Sequence, residues 1–256
     1  MNKLSLSVLA GVVASGTIAT LQPSAQAASF SFNAQDAVSA GCVGQTTCTV
    51  NDFFTLSTTT TRNGQPPLIT QKTVGGVLGL GIDSSLNKDG ETARNQSVGE
   101  IDIDEIFKVD FKKAGVLKSL DLSFLYRPGV YADDVFEVAL VTADNGIKTG
   151  TLTVTGLASA VWSLGGTVLN LSPSRKDDGG SYSIINPFGD LKIKGISMTA
   201  VQQKDANNKL PAGAKNSDFA LSRVEVTKVP EPATLLGLGV VGLAAFARRR
   251  QVAKAD

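Results

Sequence analysis

Glu105-Ile106-Phe107-Lys108-Val109-Asp110-Phe111 is the stretch that decides the fold. Phe107, Val109 and Phe111 alternate with Ile106, Lys108 and Asp110, the period of a half-buried strand rather than of a helix. The same period recurs outward along the chain. Leu120, Leu122 and Phe124 alternate with Asp121 and Ser123, and Phe136, Val138 and Leu140 with Glu137 and Ala139. Leu152 and Val154 alternate with threonines. Leu191 and Ile193 alternate with Lys192 and Lys194, and Ile196, Met198 and Ala200 resume after a phase slip at Gly195. Phe219 and Leu221, then Val224 and Val226, close the series. Turn chemistry separates the runs at Arg127-Pro128-Gly129, Asp144-Asn145-Gly146, Asp177-Asp178-Gly179-Gly180 and Asn186-Pro187. Strands with one buried and one wet face, and no long apolar stripe of helical period, predict an all-β fold. The expected form is a single antiparallel β-sandwich or jelly-roll-like domain over residues 28–228.

Both ends of the chain differ from this pattern. Lys3, the apolar run Leu4 to Leu21, Pro23 and Ala25-Gln26-Ala27 read as a signal peptide over residues 1–27, with cleavage before Ala28. At the other end, Val229-Pro230-Glu231-Pro232 precedes an apolar run to Ala247 and the basic block Arg248-Arg249-Arg250. The prolines fix φ and remove backbone donors, which keeps this segment extended. The apolar run of about 15 residues is roughly 22 Å long as a helix, short against a hydrocarbon core of about 30 Å. Three arginines would hold its end on the cytoplasmic side.

This tail, residues 229–256, resembles the PEP-CTERM sorting signal, with Pro230-Glu231-Pro232 as its motif, a short transmembrane-like helix and a stop-transfer arginine block. The resemblance implies recognition by an exosortase-type membrane peptidase, transient residence in the membrane, and delivery to the cell surface or extracellular matrix. It also implies exopolysaccharide as a neighbour. The body resembles other exported PEP-CTERM proteins at Gly99-Glu100-Ile101-Asp102, at Leu125-Tyr126-x-Pro128-Gly129-x-Tyr131, at Asn186-Pro187-Phe188-Gly189 and at Ser217-Asp218-Phe219. Ala132 departs from the glycine expected in the second of these.

Charge is nearly balanced, with 24 basic and 23 acidic residues. No basic stripe exists for nucleic acid, and the body has no polybasic patch for lipid. Cys42 and Cys48 are the chain's two cysteines; with an export signal they read as a local disulfide, with Gly41 and Gly44 permitting the turn. A redox pair is the alternative, disfavoured because the spacing is not C-x-x-C.

The richest polar zone runs from Asp83 to Asp110, with eight acids against Lys88, Arg94 and Lys108. Asp83, Asn87, Asp89, Glu100 and Asp102 are the candidate ligands for calcium, which takes six to eight oxygens. The EF-hand frame fails, because Lys88 stands where glycine is needed and Arg94 where the bidentate glutamate belongs. A solvated acidic loop is the competing reading. A second candidate is the connection Tyr126 to Glu137, where Tyr126, Tyr131 and Asp133 could contact a glycan; a turn with packed tyrosines competes. Trp162 reads as core.

The chain has no histidine, which removes the commonest general base, a Ser-His triad and the usual zinc ligands. It has no G-x-S-x-G and no phosphate loop. The expectation is an exported structural or adhesive protein without catalysis and without a certain cofactor, calcium being the one candidate. A calcium-assisted carbohydrate-binding module is the alternative. A secreted hydrolase or lyase would need two convergent carboxylates in a cleft, one with a raised pKa.

Overall fold

The computed structural model describes residues 28–60, 66–83, 99–130, 133–172, 180–211 and 216–228. The predicted signal peptide, the sorting tail with Pro230-Glu231-Pro232 and Arg248 to Arg250, and the candidates Asn87, Asp89 and Tyr131 lie outside them. Among the described residues, no helix is long and apolar enough to cross a membrane.

The described chain is β-rich, and its thirteen strands join in one antiparallel sheet. They are β1 (Ser29–Asn33), β2 (Thr47–Val50), β3 (Phe54–Thr60), β4 (Leu68–Val74), β5 (Val77–Asp83), β6 (Glu105–Ser123), β7 (Val138–Ala143), β8 (Lys148–Gly156), β9 (Ser159–Trp162), β10 (Thr167–Asn170), β11 (Tyr182–Ile185), β12 (Lys192–Ala200) and β13 (Ala220–Lys228). A short helix α1 (Ala34–Ser39) follows β1, and a 3-10 turn at Asp144–Gly146 closes the β7–β8 hairpin. Asn33 caps α1 reciprocally with Asp36, so even this short helix has its first amides satisfied.

β6 organises the sheet by exchanging partners halfway. Its first half pairs with β3 and β12, and its second half with β13 and β11. β7, β8 and β9 follow β12 outward, while β1 and the β4–β5 hairpin attach to β13. The two halves send their apolar side chains into one cluster containing Phe32, Phe54, Phe107, Leu120, Trp162, Ile184 and Val224. Phe30 stacks on Phe53 at 4.1 Å, and Phe54 meets Phe111 edge-on at 5.8 Å.

Strand alternation follows the sequence closely in the first half of β6, where Phe107, Val109 and Phe111 are buried and Asp110 is exposed. The phase slip at Gly195 is a register shift between β12 and β6. Two expectations are corrected. Ser119, Asp121 and Ser123 are buried together with Leu120 and Leu122, because the second half of β6 is covered on both faces. At the start of β7 the expected alternation fails: Phe136 is 46% exposed and Glu137 is buried, Val138 and Ala139 are both buried, and the core face continues through Val141 and Ala143. Register explains it, since Ala139 stands opposite Leu152, and Leu152 opposite Trp162, so that face must be the core face. The calcium candidate Asp102 lies with Asp104 in the turn ahead of Glu105.

Cys42 and Cys48 form the predicted disulfide, with Cα atoms 5.2 Å apart, tying the turn after α1 to β2. Trp162 is core, and its indole N–H donates to the Pro187 carbonyl at 2.8 Å. Its ring lies over Gly150, where a Cβ would collide with it.

Candidate functional site

Four carboxylates converge where the β5–β6 connection, the β6–β7 connection and the entry to β13 meet. They belong to Glu100, Asp133, Glu137 and Asp218, and all four residues are buried. Asp133, Glu137 and Asp218 each offer an oxygen within 4.8 Å of the others.

Backbone contacts hold each one in place. Glu137 donates its N–H to the Tyr126 carbonyl at 3.2 Å, and its Oε2 accepts from the Tyr126 N–H. Asp133 closes a tight turn, donating to the Val130 carbonyl at 3.2 Å and accepting from Gly129 N–H at 2.9 Å. Asn216 braces the third segment, with its amide oxygen taking the Gln203 and Ser217 N–H groups and its amide nitrogen donating to Gln203 and Pro211 carbonyls. Ser217 Oγ accepts from Val138 N–H at 3.0 Å, fixing Asp218 beside β7. The Ile101 N–H donates to the Phe219 carbonyl, and Glu100 O accepts from Ile82 N–H at 2.9 Å. Gly81 passes so close to Gly99 that a side chain there would collide with the Gly99 carbonyl.

Lys72 on β4 reaches this cluster and contacts Glu100 Oε2 at 2.6 Å, with its ammonium 5.8 Å from the centre of the Phe124 ring. Burial nevertheless pushes the Glu100 carboxyl up to about 7, against the pull of Lys72. Asp133 is likewise raised to about 7, by burial first and by the neighbouring Glu100 charge second. Glu137 is raised well above the carboxylate range by burial and by Asp218 and Asp133. Asp218 is raised well above it too, by burial and by Glu100, Asp102 and Asp133. Glu137 Oε1 and Asp133 Oδ2 are buried without a hydrogen-bond partner. Such a group can share protons or hold a cation; it is not an open cleft.

The sequence candidates are distributed unevenly. Glu100 and Asp133, expected in separate calcium and glycan sites, are neighbours. Asp102 sits in the adjoining turn, half-buried, and its N–H donates to Glu105 Oε2 at 3.0 Å. Asp83 is half-buried at the end of β5, opposite Leu68. Tyr126 is buried among Phe124, Val130 and Ala220, so its ring is covered rather than offered to a sugar. Glu137 and Asp218 were not among the expected ligands. The signal that could have found them is shared context: Gly99 to Asp102, Leu125 to Val130 and Ser217 to Phe219, described parts of three of the stretches on which the resemblance rests, all border this cluster.

A β-rich domain closed by a disulfide fits an oxidising, extracytoplasmic compartment. Residues 228–251 match the PEP-CTERM protein-sorting motif, which marks an exosortase-sorted exported protein, secreted or carried at the cell surface. No curated protein and no solved structure matches the chain.

Proposed function

We propose that this protein is a structural or adhesive component of the cell surface or extracellular matrix, without catalysis, released from the membrane by exosortase cleavage near Pro230-Glu231-Pro232. The observation that carries the reading is the sorting motif at residues 228–251, which begins where the last strand ends at Lys228. The Lys228 N–H donates to the Ala28 carbonyl at 2.8 Å, and β1 pairs with β13 along its length. The expected signal-peptide cleavage site and the sorting signal therefore leave the domain side by side. Trimming at both ends would remove no strand. With a single six-residue helix among the described residues, the sheet's apolar side chains must cover one another, as in a jelly roll.

The buried setting of the carboxylates supports a non-catalytic role, because a polymer substrate cannot reach Glu137 or Asp218. Carbohydrate binding would need exposed rings, and Tyr126 does not supply one. Replacing Pro230-Glu231-Pro232 with alanines in the native host should leave an unprocessed precursor in the membrane. Normal processing and release of that variant would contradict the reading.

A further inference from the structure

Buried carboxylates at this spacing require their charge to be removed, and the arrangement of their oxygens indicates how. Glu137 Oε2 is committed to the Tyr126 N–H, so Oε1 is the oxygen left for the cluster, and it has no hydrogen-bond partner although Glu137 is fully buried. Asp133 Oδ2 is in the same condition when both carboxyls are ionised, and bonds to Glu137 when one of them carries a proton. Lys72 pairs with Glu100 and its charge also favours the ionised forms of Asp133 and Asp218, but one ammonium does not balance four carboxylates, and oxygens of Asp133, Glu137 and Asp218 form a triad. We propose that Asp133, Glu137 and Asp218 form a buried calcium site, with the Lys72–Glu100 ion pair at its margin.

The donor set selects the ion. All three ligands are hard carboxylate oxygens; the chain has no histidine, and both cysteines are in the disulfide. Calcium binds oxygens at about 2.3–2.6 Å, so ligands on opposite sides of one ion lie about 4.6–5.2 Å apart, a span this triad fits. Magnesium demands a tighter octahedron and keeps its waters, which a buried site disfavours. Bound there, calcium clasps the β6–β7 connection to the entry of β13, joining segments about 80 residues apart in sequence. It would stiffen the strand that leads into the sorting motif, and this role does not depend on how the tail is processed.

Protons are the competing occupant, because Asp133 and Glu137 face each other closely enough to share one. The test uses the full-length chain purified in detergent, stripped with EGTA and held near about pH 8, where proton sharing is weakest. Adding about 2 mM CaCl2 should raise the melting temperature by about 5 °C or more, and elemental analysis of the dialysed protein should find about one calcium per chain. MgCl2 at the same concentration should do much less. Asp218→Asn and Asp133→Asn should each weaken calcium binding by about tenfold or more, while Asp121→Asn, in a different buried region, should leave it unchanged. If Asp218→Asn does not fold, Asp133→Asn and the wild-type stoichiometry still decide. No calcium response and no bound calcium in the wild type would overturn the proposal. So would an undiminished response in the foldable variants, or an equal response to magnesium.

Discussion

Two buried carboxylate regions in this molecule solve the same electrostatic problem differently. Asp121, midway along the second half of β6, receives the Ser183 hydroxyl at 2.5 Å and stands opposite Arg223 on β13, with Ser123 bonded to Ser222 nearby. Burial raises its pKa, and the Ser183 hydrogen bond and the Arg223 charge offset only part of that rise. The Glu137 region instead packs acid against acid, with Lys72 paired to Glu100 and two oxygens left without partners. The first is a polar residue served by its neighbours. The second is a concentration of negative charge that burial alone penalises, and such an arrangement needs a proton or an ion.

The largest break in this contrast should come from Lys72→Met. Removing one partner of a buried ion pair costs about 3 kcal/mol or more, and here the loss should be greatest near about pH 8 and shrink near about pH 5, where Glu100 carries its own proton. Equal destabilisation at both pH values, measured by denaturant melts, would show that Lys72 acts through packing alone.

Next in size is the pH dependence of the EGTA-treated protein. The folded pKa values of Glu100 and Asp133 are raised to about 7, from ordinary values of 4.5 and 3.8. Between about pH 4 and about pH 7 the folded state thus binds more protons than the unfolded state, and stability falls as pH rises. The melting temperature should drop by about 5 °C across this window, and calcium should flatten the slope. A stability that rises with pH in the absence of calcium would reverse the assignment.

Reducing the Cys42–Cys48 bridge should cost about 2 kcal/mol without altering the pH slope, because it ties a short loop in neither carboxylate region. A changed slope after reduction would mean the disulfide helps hold the cluster. Asp121→Ala should cost about 1.5 kcal/mol by stranding the Ser183 hydroxyl, and Asp121→Asn less than about 1 kcal/mol, because an amide oxygen still accepts. An alanine variant as stable as wild type would show that Ser183 finds another partner and that the two regions are less distinct.

Most strands were legible because alternation is local. Phe107, Val109 and Phe111, the Leu152–Val154 pair, and even the slip at Gly195 could be read without knowing their partners. Glu137 shows the limit: a polar residue just ahead of β7, read as wet, is buried, and only the register of Ala139 with Leu152, and of Leu152 with Trp162, reveals which face of β7 lies in the core. Asp121 and Ser123 misled for a related reason, since nothing local says that a strand is covered on both sides. The carboxylate site was visible only in fragments. Glu100 and Asp133 were read as parts of two separate sites, and Asp218 joins them through the pairing of β13 with β6, a contact no spacing in the sequence encodes.

The two ends of the domain meet at Ala28 and Lys228, where export and sorting would trim the chain. Intact mass of the protein recovered from culture supernatant and envelope tests this most directly. The predicted species begins near Ala28, ends near Pro230-Glu231-Pro232 and is about two mass units lighter than its reduced form, as one disulfide requires. A chain retaining Arg248 to Asp256 in the envelope, with no trimmed form in either fraction, would contradict it.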